Sequence, residues 1–300
     1  MATIHLNRFF IGAFLLILFT AQLAVLVHSK NLHPAKWPSF QNLEGSRKGL
    51  TAKGIQNVKN YMRTFGYLND NNDKRNDHRN DDQFDKSLEI AVKKFQRFYK
   101  LNVTGILDDG TISQMKTPRC GVADVHDLQT LGIVSHYAFF PGKPRWPLVS
   151  YEANILYYSL DVNNASGVSL EMMRYIATEA FSQWKQASNI TFEESAQGKL
   201  PDLSLGFVQN DGPGNVMAFS YPPTNGTLRF DAAESWSTDI PPAKTDIDII
   251  WAAMHEIGHL LGLDHSTDKN AIMYAYIDPG VNKRTLSQDD IDGIRALYSS

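Results

Sequence analysis

Cysteine is nearly missing from this chain: Cys120 is the only one in 300 residues. A lone cysteine cannot form an internal disulfide, so it is either an inert core thiol or a group whose reactivity is used. A basic excess is missing too. Lys and Arg total 29 against 32 Asp and Glu, a net charge of −3, so a phosphate backbone finds nothing to attract it and a nucleic-acid partner is disfavoured. No internal repeat is visible, and only one long apolar run occurs, at residues 9–27. Histidine also thins out: beyond His136 only His255, His259 and His265 remain. What is present is an ordinary globular balance, 43% hydrophobic and 20% charged, enough for about two domains of ~150 residues.

The apolar run follows His5 and Arg8, and Val27-His28-Ser29 offers compact residues for cleavage before Lys30. This predicts a signal peptide over residues 1–29 and a secreted, extracellular protein. The run is long enough to cross a bilayer, so an uncleaved signal anchor competes; Thr20, Gln22 and the sparse flanking charge favour removal. In a secreted chain, Asn102, Asn164, Asn189 and Asn225 each begin a glycosylation sequon.

Residues 50–115 read as mostly helical. Ile55, Val58, Tyr61 and Met62 fall at helical spacing, as do Leu88, Ala91, Val92, Phe95 and Tyr99. Residues 69–85 form a polar stretch read as a solvated loop, lacking the glycine and closing glutamate of a calcium-binding EF-hand. Thr104-Gly105 and Asp109-Gly110 punctuate a short segment leading to Cys120, and proline-rich residues 139–147 predict an extended arm. Beyond it, strands are expected near 155–160, 190–192, 203–208, 216–221 and 228–230. Helices are expected at 170–187, 247–261 and 287–298, the last capped by Ser287. The chain thus divides into a helical region, 30–136, and one mixed α/β domain, 137–300.

The chemistry concentrates in His255-Glu256-Ile257-Gly258-His259 and the following Gly262 and His265. Residues four apart sit on one helical face, so His255 and His259 can both reach one metal ion. Glu256 lies beside them and can address a water held at the metal rather than the metal itself. Gly262 permits a left-handed residue, which lets the chain leave the helix and return His265 as a third ligand. Three imidazoles with an open fourth position suit a catalytic zinc. The bland alternative is a set of core histidines. A bare His-Glu-x-x-His arises by chance in roughly one chain of this length in a hundred, and the added Gly and His lower that to a few in a hundred thousand.

This stretch resembles the signature of the metzincin peptidases, with Met273 standing where their methionine turn is expected. Ser266 after the third histidine is similar to the matrixin branch, the matrix metalloproteinases. Pro118-Arg119-Cys120-Gly121-Val122-Ala123-Asp124 in turn resembles the matrixin cysteine switch. A thiolate is a strong zinc ligand, so Cys120 can fill the fourth position in a latent form. The resemblance implies that Arg119 and Asp124 form a supporting ion pair, and that maturation cuts between Asp124 and about Tyr137. It covers nearly the whole chain after the signal and is closest to the short plant members without a hemopexin-like domain. The fold it implies is mixed α+β: a twisted mixed sheet with three helices behind a small all-α propeptide. The implied activity is a secreted zymogen that hydrolyses internal peptide bonds of extracellular proteins, with a zinc-held water and Glu256 as general base. Val216, Met217, Ala218 and Phe219 match the edge strand that pairs with substrate. The propeptide would be its own inhibitor, and the protein a monomer.

Two departures stand out. Matrixins carry a second, structural zinc on three histidines and an aspartate; here Phe219 and Arg229 occupy two of those positions and the loop before Asp211 is shortened. One zinc is therefore expected, with the structural zinc absent. The neighbouring calcium site is retained, with Asp211, Asp231 and Glu234 plus carbonyls of Gly212, Gly214 and Val216 as implied ligands. Ala275 replaces the usual proline beside the main specificity pocket. These changes keep a second reading open, a catalytically weak or inert zinc-containing binding protein. A third, a wall-polysaccharide binder acting through the helical domain, rests on fold-level likeness alone.

Overall fold

The computed structural model describes residues 40–68, 81–126, 136–147, 154–165, 167–196 and 198–298. The expected signal peptide, most of the 69–85 loop and most of the expected maturation segment between Asp124 and about Tyr137 lie outside the described residues.

The N-terminal part is a three-helix unit: α1 (Ile55–Thr64), α2 (Lys86–Phe98) and α3 (Asp109–Lys116). Asp85 caps α2 by accepting from Leu88 N, and Leu88, Ala91, Val92 and Phe95 bury the face that their spacing predicts. α3 arises in the short segment that the sequence marks only by the punctuation at Asp109-Gly110. Asp108 caps it by accepting from Thr111 N at 2.9 Å, and Ile112 and Met115 anchor it in the core. The end of the polar loop is likewise not simply solvated. Asp81 and Asp85 pair with the buried Lys59 ammonium at 2.6 and 2.8 Å, and Asp82 accepts from Gly54 N and Gln56 N at the start of α1.

The C-terminal part is built on a six-stranded sheet. Its strands are β1 (Arg119–Cys120), β3 (Ile155–Asp161), β4 (Thr191–Glu194), β5 (Leu203–Val208), β6 (Val216–Ser220) and β7 (Thr227–Asp231), in the order β1-β6-β7-β5-β3-β4. Pairing is parallel except between β6 and β7, so the sheet is mixed and mostly parallel. Three helices complete it: α4 (Leu170–Ala187), α5 (Ile249–Leu260) and α6 (Gln288–Tyr298). Strand β2 (Ala138–Phe139) pairs with β10 (Leu263–Asp264), and β8 (Trp236–Ser237) with β9 (Ile247–Asp248). The outer strand β1 comes from the N-terminal part, which is otherwise helical.

Every residue of α5 is buried. Asp248 caps it by accepting from Ile250 N and Trp251 N, and is itself held by Arg284 at 2.8 Å. Trp184 of α4 donates its indole N–H to Met254 O at 2.8 Å, fixing one helix against the other without leaving a buried donor unpaired. From the proline-rich arm, Trp146 donates to Leu260 O at 2.7 Å and covers the end of α5. No helix among the described residues is long and apolar enough to cross a membrane.

Candidate metal centre

His255 and His259 lie one turn apart near the end of α5. Gly262 then adopts φ 104°, where a Cβ would press into Pro144 O, and the chain turns through β10 to His265. From the opposite side β1 delivers Cys120. The four donor atoms lie within 4.8 Å of one another, and all four residues are buried. His259 Nε2 is 3.1 Å from His255 Nε2 and 3.5 Å from Cys120 Sγ.

The hydrogen bonds decide which ring nitrogens are bare. His255 Nδ1 contacts Ile272 O at 2.7 Å, and His259 Nδ1 contacts Leu263 O at 2.8 Å. A carbonyl can only accept, so each Nδ1 carries the proton and each Nε2 presents a lone pair. His265 Nδ1 lies 2.8 Å from Asp124 Oδ1, which leaves its Nε2 buried without a partner among the described residues. Two lone pairs 3.1 Å apart repel unless a cation lies against both. Ligands ~2.1 Å from a tetrahedral zinc would themselves be roughly 3.4 Å apart. Burial, reinforced by the neighbouring imidazoles, pushes His255 down to about 3 and His259 well below its ordinary value, so both stay neutral, the form that binds metal. An N₃S donor set of this size fits zinc.

Glu256 is buried beside this quartet. Its Oε2 accepts from Ser220 Oγ at 2.6 Å, and burial pushes the carboxyl up to about 7 against the hydrogen bonds from Cys120 and Ser220. Burial and the adjacent Glu256 push the Cys120 thiol well above its usual range, while Val122 N donates to the sulfur at 3.3 Å. Met273 packs beneath the histidine helix, where a Cβ at Gly258 would meet its sulfur and come within 2.9 Å of Trp184. Asp290 fixes the Met273 turn by accepting from Ile272 N at 2.8 Å and Met273 N at 3.0 Å. Ser220, Asp290 and the close packing at Gly258 were not foreseen. Ser220 lies two residues beyond Ala218, the register partner of Cys120, and so shares its face.

The segment that carries Cys120 is sealed in place. Arg119 is 2% exposed, donates to Asp124 at 2.6 and 3.0 Å and lies 3.5 Å from the Phe65 ring centre. Asp124 also accepts from Tyr67 OH at 2.7 Å. Burial alone would raise its pKa; the Arg119 charge and the His265 and Arg119 hydrogen bonds carry it well below the usual carboxylate range. β1 runs parallel to β6, with Arg119 opposite Val216 and Cys120 opposite Ala218. Cys120 N donates to Ala275 O and Gly121 N to Ala218 O, both at 2.9 Å. Around this strap, Tyr61 OH meets Tyr276 OH at 2.8 Å, and Tyr99 packs edge-on against Tyr274 and Tyr276.

The remaining candidates lie further out. Asp211, Asp231 and Glu234 gather around a loop turned by Gly212 and Gly214. Asp231 accepts from Asp211 N and Gly212 N, Glu234 from Gly214 N, and Asp211 from Val216 N. Burial, together with the nearby Asp231 charge, pushes Asp211 and Glu234 up to about 7. Arg229, opposite Phe219, reaches Ser204 O at 2.8 Å and Ser204 Oγ at 3.2 Å. Asn102, Asn164, Asn189 and Asn225 are all exposed.

Two histidines one helical turn apart, a third beyond a glycine and a carboxyl between them form the site of a metallopeptidase. The profile of the matrixin family, the M10 peptidases, matches residues 150–299, and that of the peptidoglycan-binding domain matches residues 51–115. Metalloendoproteinase 1 of Glycine max is 38% identical over 269 residues, covering 83% of each chain. Metalloendoproteinase 1-MMP of Arabidopsis thaliana is 33% identical over 294 residues, 93% of this chain and 77% of its own. Matrilysin of Homo sapiens is 30% identical over 262 residues, 83% of this chain and 87% of its own. The chain belongs to the matrixin family, as a zinc metalloendopeptidase with a helical propeptide domain.

Proposed function

We propose that the protein is a secreted endopeptidase made as a latent zymogen, with a signal peptide over 1–29, a propeptide over 30–136 and a catalytic domain over 137–300. The observation that carries this reading is the convergence of Cys120 on His255, His259 and His265, with Glu256 buried alongside. The three histidines would hold one zinc, with Cys120 as the fourth ligand of the latent form. Bound there, zinc would supply Lewis acidity toward a water and toward the scissile carbonyl.

The chain's own residues account for the rest. Once Cys120 leaves, Glu256 takes a proton from the attacking water as the water oxygen bonds to the carbonyl carbon. It returns that proton to the amine as the C–N bond breaks. Ser220 holds one carboxylate oxygen of Glu256, which leaves the other to meet the water. Met273 forms the apolar floor of the site. Val216, Met217, Ala218 and Phe219 on β6 pair with an extended substrate along the edge that β1 covers in latency. The buried Arg119–Asp124 pair supports the inhibitory role of the propeptide, as does the packing of its aromatic core on Tyr274 and Tyr276. That packing commits an aromatic face of the helical domain to the enzyme and favours inhibitor over polysaccharide binder.

Asp211, Asp231 and Glu234, with the carbonyls of Gly212, Gly214 and Val216, would bind calcium, a hard cation suited to crowded carboxylates. The guanidinium of Arg229 supports a single zinc per chain, since a fixed positive charge is no metal ligand. Substrates are extracellular proteins, and the four exposed sequons are the candidate glycosylation sites. The inert binder remains the competing function. The matured Glu256→Ala variant decides: it should retain zinc and lose casein cleavage, whereas cleavage at the parental rate would overturn the role of Glu256.

A further inference from the structure

The three histidines are oriented by different parts of the chain. His255 is aligned by Ile272 O and His259 by Leu263 O, both within the catalytic region. His265 is aligned instead by Asp124 Oδ1 at 2.8 Å, a carboxylate 141 positions away on the propeptide. Asp124 is itself immobilised: Arg119 donates to both oxygens, Tyr67 OH donates to Oδ2, and Asp124 N donates to Phe65 O at 3.1 Å. Its side chain is fully shielded from solvent. An outer carboxylate that accepts from a metal-bound histidine fixes the ring and makes it a better donor.

We propose that Asp124 is a positioning residue for the third metal ligand as well as half of the switch ion pair. On this account the propeptide lends the site an outer carboxylate, and maturation removes that carboxylate together with Cys120. The latent chain therefore holds its metal more tightly than the loss of the thiolate alone explains. Metal taken up during folding is retained until activation. The inference rests on the zinc reading above.

The test compares the full-length precursor with Asp124→Asn, using chelator competition for zinc affinity and absorption of the cobalt-loaded protein for the ligand set. Asparagine keeps the shape and an acceptor for Arg119 but removes the charge. The expected result is zinc affinity about 10–100-fold weaker, with the thiolate-to-cobalt band retained. Unchanged affinity would overturn the proposal. Weaker affinity with the band lost would also overturn it, because Asp124 would then act only by holding the switch shut. A parent that takes up no metal would overturn the zinc reading itself. If the variant does not fold, ¹⁵N-histidine NMR of the zinc-loaded parent serves instead. Three slowly exchanging Nδ1 protons before propeptide removal should become two, and three in both states would refute the role.

Discussion

Replacing Gly121 with alanine should loosen the switch while leaving the matured enzyme untouched. Gly121 follows Cys120 and lies against β6, where a methyl would come 2.7 Å from Val216 Cγ1 and 3.2 Å from Phe219 Cβ. Val216 is β-branched, 1% exposed and paired through β6, so it has little freedom to turn aside. Gly121 does not use a left-handed backbone, so the substitution acts through this contact alone. Overpacking of this kind costs about 1–3 kcal/mol. The cost falls on the docked state and disappears on release. At 1.4 kcal/mol per factor of ten, the open fraction rises about 5- to 150-fold. Cys120 reports that fraction cleanly, because it is the chain's only thiol and is 2% exposed when docked. Its alkylation by iodoacetamide in the uncut G121A precursor should accelerate by that factor, with equal rates once both proteins are unfolded in urea. A docked-state rate within twofold of the parent would refute the reasoning.

The same logic predicts that Gly258→Ala, which forces a methyl against the Met273 sulfur and Trp184, costs about 1–3 kcal/mol and lowers Tm by roughly 2–10 °C in calorimetry. A Tm within 1 °C of the parent would mean that Met273 is free to move. Tyr99→Phe should be neutral or slightly stabilising in urea unfolding, because its buried hydroxyl has no hydrogen-bond partner among the described residues. A loss above about 1 kcal/mol would reveal a partner. Calcium at 100 times its Kd should stabilise the fold by about 2.7 kcal/mol, and Asp231→Asn should abolish that response. Equal calcium responses in parent and variant would remove Asp231 from the site.

Elements whose signals are local were legible in the sequence. α4 and β5 coincide with their expected spans because a capped amphipathic period and a bounded apolar run each declare both ends. α3 escaped because Gly110, Thr111 and Ser113 are weak helix formers; its one clear signal is Asp108 three residues before Thr111. The histidine triad was readable because α-helical spacing and a single glycine encode it. Ser220, Asp290 and the contacts of Asp124 with Tyr67 and His265 were not. Each meets the site through strand register or a contact between distant segments, and no short window of sequence carries that information. The outer strand β1 was hidden for the same reason: two residues pair only because β6 is there to receive them.

The central claim is that Cys120 silences a working zinc peptidase. Casein cleavage by the purified full-length precursor tests it, before and after a mercurial displaces its one thiol, with zinc content measured on the same sample. The account predicts silence, then cleavage, and silence again when a chelator removes the metal. A folded, zinc-loaded protein that stays silent after displacement would contradict it.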